Sequence, residues 1–158
     1  DSNFLKGNTM INEIGKIKGS VSILNRGEDN LLKWDIRQAN LIVGVGLAFI
    51  VSRMGDSSDA VMSHIAVGSG TTAAQNGDTD LVSILGGRVA ISDATVVGTE
   101  ITYTATFPAG SGTGIISEVG LFNASTAGTM LARTVFGVRT KDPLDTMTVT
   151  WKMTIDAG

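Results

Sequence analysis

The stretch MSHIAVGSGTTAAQNGDTDL, residues 62–81, holds the densest set of groups with chemical potential. Within it Gly68-Ser69-Gly70-Thr71-Thr72-Ala73 fits a G-x-G-x-x-G/A template. In that template the glycines let backbone approach a pyrophosphate that the next helix's N-terminal amides hold. The context argues against a phosphate loop here. Asn76-Gly77-Asp78 is a strong turn signal and leaves no room for a helix, and no acidic residue closes a βαβ unit about 20 residues on. The spacing predicts a tight connector between two β elements, with Asp78-Thr79-Asp80 solvated or capping. Asp78 and Asp80 place oxygens at alternate positions, as a calcium loop does. Counted from Asp78, however, Val89 stands where an EF-hand requires its closing Glu, which leaves at most a loose surface cation site. His64 is the sole histidine, and no His, Glu or Cys stands near it at ligand spacing. It reads as a satisfied or exposed strand histidine.

Glu118 lies inside the apolar run ISEVGLF, where a carboxylate is costly unless it meets water or a partner. Two readings stay open. In one it faces solvent, with Ser117, Val119 and Leu121 inward. In the other it forms a salt bridge to Arg133 on the paired strand or to a neighbouring subunit. Glu118 and Arg133 are therefore candidate partner-contact residues. No serine sits in a G-x-S-x-G elbow, and no nucleophile, base and oxyanion site assemble. The expectation is a binding protein rather than an enzyme, with no cofactor and no metal.

The elements that carry these residues are mostly strands. Ile17, Gly19, Val21 and Ile23 alternate with Lys18, Ser20 and Ser22. Leu32, Trp34 and Ile36 continue the period of two after a turn at residues 25–30, which predicts a hairpin. Asn40 as N-cap and Gly55 as C′ residue bracket a helix with Leu41, Val45, Ala48, Phe49 and Ser52 on one face. Gly44 and Gly46 each cost such a helix about 1 kcal/mol relative to Ala, so it needs close packing against a sheet. Residues 81–84 form a short strand or turn. Two strands meet near residues 97–100, and a hairpin runs from Ile116–Phe122 to Met130–Val138. Lys141-Asp142-Pro143-Leu144-Asp145 turns the chain. A last strand then aligns Met147, Val149, Trp151, Met153 and Ile155. Trp34, Tyr103 and Trp151 fall on strand positions that suit a core better than a sugar platform.

The whole is expected to be mainly β: a β-sandwich or jelly-roll-like body of seven to eight strands over residues 16–158, with one short helix. Residues 1–15 form an extended N-terminal arm. Its apolar positions Phe4, Leu5, Met10 and Ile11 have no periodic core to join locally and are candidate partner contacts.

Bulk properties agree. At 158 residues, 42% hydrophobic and 17% charged, the chain suits one domain that buries about two-thirds of its unfolded surface. A net charge of −3 and a pI near 5.0 give no field for nucleic acid. The densest basic cluster, Lys16, Lys18 and Arg26, reads as a solvated strand face. Cysteine is absent, which excludes disulfides and thiolate metal sites. The most apolar stretch, residues 41–54, is too short to span a bilayer, so no membrane role is expected. The chain opens on Asp1, which implies an initiator or short leader outside this numbering, and nothing reads as a signal peptide.

Four blocks, NLIVGVGLAFIVSRM, MSHIAVGSGTTAAQNGDTDL, ISEVGLFNASTAGTMLARTVF and DTMTVTWKMTI, occupy residues 40–155 in order. Together they resemble small virion structural proteins of tailed bacteriophages, in particular head decoration (cement) proteins. Similar hairpins occur in attachment domains of tail-fibre-like proteins. The resemblance implies synthesis in a bacterial host cytoplasm and residence on the capsid exterior. It implies the major capsid protein as partner, and a homo-oligomer, dimer or trimer. Its alternative is a tail, collar or fibre-attachment component of the same virion. The lack of repeats or a coiled-coil stalk points to the head.

Overall fold

The computed structural model describes residues 15–55 and 58–157. The proposed arm contacts Phe4, Leu5, Met10 and Ile11 lie outside the described residues.

Alternating apolar side chains make the strands, and the strands form two antiparallel five-stranded sheets. In chain order they are β1 (Lys16–Arg26), β2 (Leu32–Ala39), β3 (Leu41–Ile42), helix α1 (Gly44–Met54), β4 (His64–Gly68), β5 (Val89–Ala90), β6 (Asp93–Val97), β7 (Glu100–Phe107), β8 (Gly114–Phe122), β9 (Met130–Lys141) and β10 (Thr146–Asp156). Sheet A has the order β2-β1-β10-β7-β6, and sheet B the order β3-β9-β8-β4-β5. The expected hairpins form as read: Ile23 sits opposite Ile36 in β1–β2, and Leu121 opposite Ala132 in β8–β9.

The sheets face each other as a sandwich. Val21, Ile23, Ala105, Phe107, Val149 and Trp151 of sheet A share one core with Ile65, Val67, Ile116, Val119 and Leu121 of sheet B. Each such fully buried aliphatic or aromatic side chain contributes on the order of 1.5–3 kcal/mol before entropy is charged against it. The described residues hold ten strands, more than the seven or eight expected. Two of them, β3 and β5, are two residues long, too short to show any alternation. Their pairing partners rather than their sequence create them.

The short strand β3 also corrects the helix. Leu41 and Ile42 pair with Arg133 and Ala132 of β9, so α1 begins at Gly44 and Val43, not Asn40, is its N-cap. Asn40 instead accepts a hydrogen bond from the Trp151 indole on its side-chain oxygen at 3.0 Å and donates its backbone N–H to the Gly19 carbonyl. Later initiation rotates the packed face, leaving Val45 and Leu47 exposed while Gly46 is buried. A Cβ on Gly46 would lie 2.2 Å from the Leu131 carbonyl oxygen. The glycine that weakens the isolated helix is what lets it lie on β9, as its composition required. Gly55 closes the helix at φ −93°, outside the left-handed region expected of a C′ glycine.

Sheet B is covered on its outer side as well. Residues 69–88 cross that face, where Leu81 packs with Val43, Ala66, Phe122 and Met130 in a second, smaller core. Strand β8 is therefore buried on both faces over most of its length, which explains its unbroken apolar reading.

Candidate functional site

A register shift between Ile116 and Glu118 in the β8–β9 ladder decides where the carboxylate goes. Across it β8 advances from Ile116 to Glu118 while β9 advances from Arg139 to Val135. Ile116 and Val119 lie in the main core, and Glu118 meets the crossing segment. Glu118 and Arg133 are both fully buried, which overturns the solvent-face reading and supports the ion pair. Arg133 donates its Nε to Glu118 Oε2 at 2.9 Å, and its Nη2 lies 2.9 Å from the same oxygen. The pair closes within one chain, and neither side chain reaches the described surface where a partner could touch it.

Three backbone amides complete the carboxylate's shell. Gly70 and Ser83 donate to Oε1 at 2.9 and 2.8 Å, and Val82 donates to Oε2 at 3.0 Å. Arg133 carries the network further through Nη1 to Asp78 Oδ2 at 2.9 Å and Nη2 to the Thr72 carbonyl at 2.8 Å. Ser117, also buried, donates to the Gly70 carbonyl at 2.8 Å. Burial by itself would push the Glu118 carboxyl up. The amides of Ser83 and Val82, the guanidinium and the Gly70 amide outweigh it and hold the carboxyl below the usual range.

The Gly-Ser-Gly loop thus supplies one of the three backbone amides that enclose an internal anion. Its amide at Gly70, the sort that would point at a phosphate in a nucleotide loop, points at Glu118 instead. Space explains the glycines, since a Cβ at either Gly68 or Gly70 would come within 2.5 Å of Glu118 Oε1. Residues 68–73 do lead from one β element towards another, but not as the tight connector expected: Gly68 and Gly70 are buried, and the connection runs through residues 69–88 before β5 begins.

Asp78 and Asp80 do not converge. Asp78 Oδ2 is taken by Arg133 and by the Gln75 amide. Asp80 accepts from the Leu81 amide and lies 3.7 Å from Arg88. Among the described residues no group of three or more His, Cys, Asp or Glu is placed to hold a metal ion. His64 is half-buried, with Nδ1 2.8 Å from the Ser63 hydroxyl. Trp151 and Tyr103 are buried in the core, and Trp34, half-buried, donates its indole to the Thr140 carbonyl.

Sequence reading missed two polar clusters. At the β9–β10 turn the buried Asp145 accepts from Asn25 Nδ2 at 2.9 Å, from the Asp142 amide at 2.9 Å and from Lys33 at 3.0 Å. Buried Lys141 caps the carbonyls of Asp145 and Pro108 at 2.7 and 3.0 Å. Burial pulls its ammonium below the ordinary lysine range, and Asp145 only partly restores it. One signal was available: Asn25 continues the inward period of Val21 and Ile23, and a polar residue at a core position demands a partner. The second cluster is Arg88, stacked 3.6 Å over the Phe122 ring. It donates to the carbonyls of Ala124 and Ala127 and so holds the β8–β9 turn. No spacing in the sequence marks that contact.

The surface has a different character. Strand β6 is exposed throughout and forms one edge of sheet A, and Val96 and Val97 keep most of their surface exposed. Val51, Met54 and Val61, on and just beyond α1, are likewise exposed. Among the described residues no helix is long and apolar enough to cross a membrane. Comparison with protein-family models, with curated proteins and with solved structures returned no match.

Proposed function

We propose that this protein is a bacteriophage capsid decoration protein that binds the outer surface of the head and stabilises contacts between capsomers. One observation carries the reading beyond the resemblance of the four sequence blocks. The most deeply buried charged groups, Glu118, Arg133, Asp145 and Lys141, spend their hydrogen-bonding capacity fastening loops, while apolar side chains are displayed on an open strand edge and a helix. Such a body is built to adhere. A modest contact repeated over many copies gives avidity without any single strong interaction. Open edges such as β6 suit pairing into a dimer or trimer. A net charge of −3 gives no overall attraction for DNA, so the major capsid protein is the expected partner.

The test is addition of purified protein to shells that lack it. Saturable binding at or below micromolar concentration is expected, with an increase in the shells' resistance to heat and density spread over the facets. Absence of binding at micromolar concentration would overturn the proposal. Density confined to the vertex or tail would overturn it in favour of a collar, tail or fibre-attachment part.

A further inference from the structure

Asn76 is the only asparagine of the sequence that is followed by glycine. In such a pair the backbone nitrogen after the asparagine can close a five-membered ring on the side-chain amide carbon. Glycine, having no β-carbon, leaves that nitrogen least shielded. A fold can prevent the reaction by burying the asparagine or by engaging the nitrogen in a hydrogen bond, and this fold does neither. The turn at residues 75–78 is closed by the Asp78 N–H on the Gln75 carbonyl at 3.1 Å and by the Gln75 N–H on Asp78 Oδ2 at 2.9 Å. A turn closed this way leaves the N–H groups of its two central residues unused. The Gly77 N–H has no acceptor among the described residues. Asn76 and Gly77 are both exposed, and nothing lies within 4 Å of where a Gly77 β-carbon would stand.

The start of α1 lies against the same asparagine. The Asn76 carbonyl accepts from the Gly44 N–H at 2.8 Å, and a β-carbon on Gly44 would stand 3.3 Å from Asn76 Nδ2 and 3.4 Å from Oδ1. The carbon that the ring closure attacks therefore sits beside the positive end of an 11-residue helix. That helix has no acidic residue in its first turn, and its N-cap, Val43, makes no side-chain hydrogen bond. A positive end there favours the negative oxygen that develops on the carbon as the nitrogen adds.

We propose that Asn76 is a site of spontaneous covalent modification, losing its side-chain nitrogen as ammonia to leave a carboxylate at the start of α1. The Gly77 nitrogen gives its proton to hydroxide and bonds to the Asn76 side-chain carbon. The bond from that carbon to the side-chain nitrogen breaks, and the nitrogen departs as ammonia with a proton from water. Water then opens the cyclic imide. Opening at the side-chain carbonyl gives aspartate. Opening at the main-chain carbonyl gives isoaspartate, whose free carboxylate is the former carbonyl that faces the Gly44 N–H. The sum is one water consumed and one ammonia released, with no change of oxidation state. The reaction needs no partner, so it does not depend on what the whole protein binds.

The test holds full-length folded protein at pH 7 and at pH 8 for days, with the same chain unfolded in urea as reference, and then cleaves it with trypsin. The peptide of residues 54–88 lies between Arg53 and Arg88 and contains no asparagine but Asn76. It is expected to gain one dalton, with fragment ions placing the change at residue 76 and isoaspartate present beside aspartate. The rate should rise about ten-fold from pH 7 to pH 8. It should fall about ten-fold or more in Gly77→Ala, which the open space and a φ outside the left-handed region allow to fold. Folded protein that reacts more than ten-fold slower than the unfolded chain would overturn the proposal, because the fold would then shield the turn. So would a rate unchanged by Gly77→Ala, or a gain of one dalton without isoaspartate. Asn76→Asp, the aspartate product, is expected to melt no lower than the native chain, and a lower melting temperature would overturn the placing of the carboxylate at the helix start.

Discussion

Glu118 shows how one residue organises a large part of this molecule. Its two oxygens satisfy three backbone amides and a guanidinium in a site closed to water. Glu118→Gln removes the charge and leaves Arg133 without its fully buried partner, which should cost about 3–5 kcal/mol in chemical denaturation. The paired replacement Glu118→Leu with Arg133→Met should recover only part of that loss. Buried ion pairs often yield to apolar pairs at little cost, but here the amides of Gly70, Val82 and Ser83 would lose their acceptor, at about 1–3 kcal/mol each. Near-complete recovery would show that the amides find water or other partners. The pH response follows from the same shell. The folded-state carboxyl is held below its unfolded value, so its contribution is complete above the ordinary glutamate range and is lost as pH falls through the depressed value. Equilibrium unfolding between pH 7 and pH 2 should show stability falling at the acid end, and Glu118→Gln should flatten that fall.

At the scale of elements, close approach of backbone decides the packing. Helix α1 touches β9 at Gly46, where no β-carbon fits beside the Leu131 carbonyl. Gly46→Ala improves the isolated helix by about 1 kcal/mol yet should lower the stability of the folded protein by about 1–3 kcal/mol, because the helix must lift off the sheet. Denaturant titration gives the sign directly. Much of this level was legible in the sequence. Alternation from Ile17 to Ile23 and from Met147 to Met153 marked central strands of sheet A, and the glycines of residues 44–46 marked tight packing. What was not legible depended on pairing. Leu41 and Ile42 become a strand only because β9 lies alongside, and this shifts the helix start and its buried face. The Glu118–Arg133 pair was among the open readings. The amides that complete it come from residues 70–83, remote in sequence, and no local spacing announces them. Arg88 over Phe122 is of the same kind.

For the molecule as a whole, the division is between a charged interior network and an apolar edge. Strand β6 lacks the lysine, proline or bulge that commonly blunts an open edge. Val97→Lys, at an exposed position, should leave stability within about 0.5 kcal/mol while reducing self-association measured by sedimentation. Loss of stability comparable to a core substitution would mean that Val97 is not free of the fold. If β6 also contacts the shell, the same variant weakens rebinding at unchanged melting temperature.

The register of β1 against β10 pairs Lys16 with Asp156 and Arg26 with Thr146. The second strand made by the ribosome's order of events is ready early, but the neighbour on β1's other side is not synthesised until some 120 residues later. Sheet A therefore has no middle until translation has passed its final strand, and nascent chains must wait with β1 half-matched. Refolding from denaturant should accordingly fall in the slow, millisecond-to-second range typical of distant β pairings. A chain stopped short of Thr146 would carry two hairpins' worth of sticky backbone and no sandwich to hide it in.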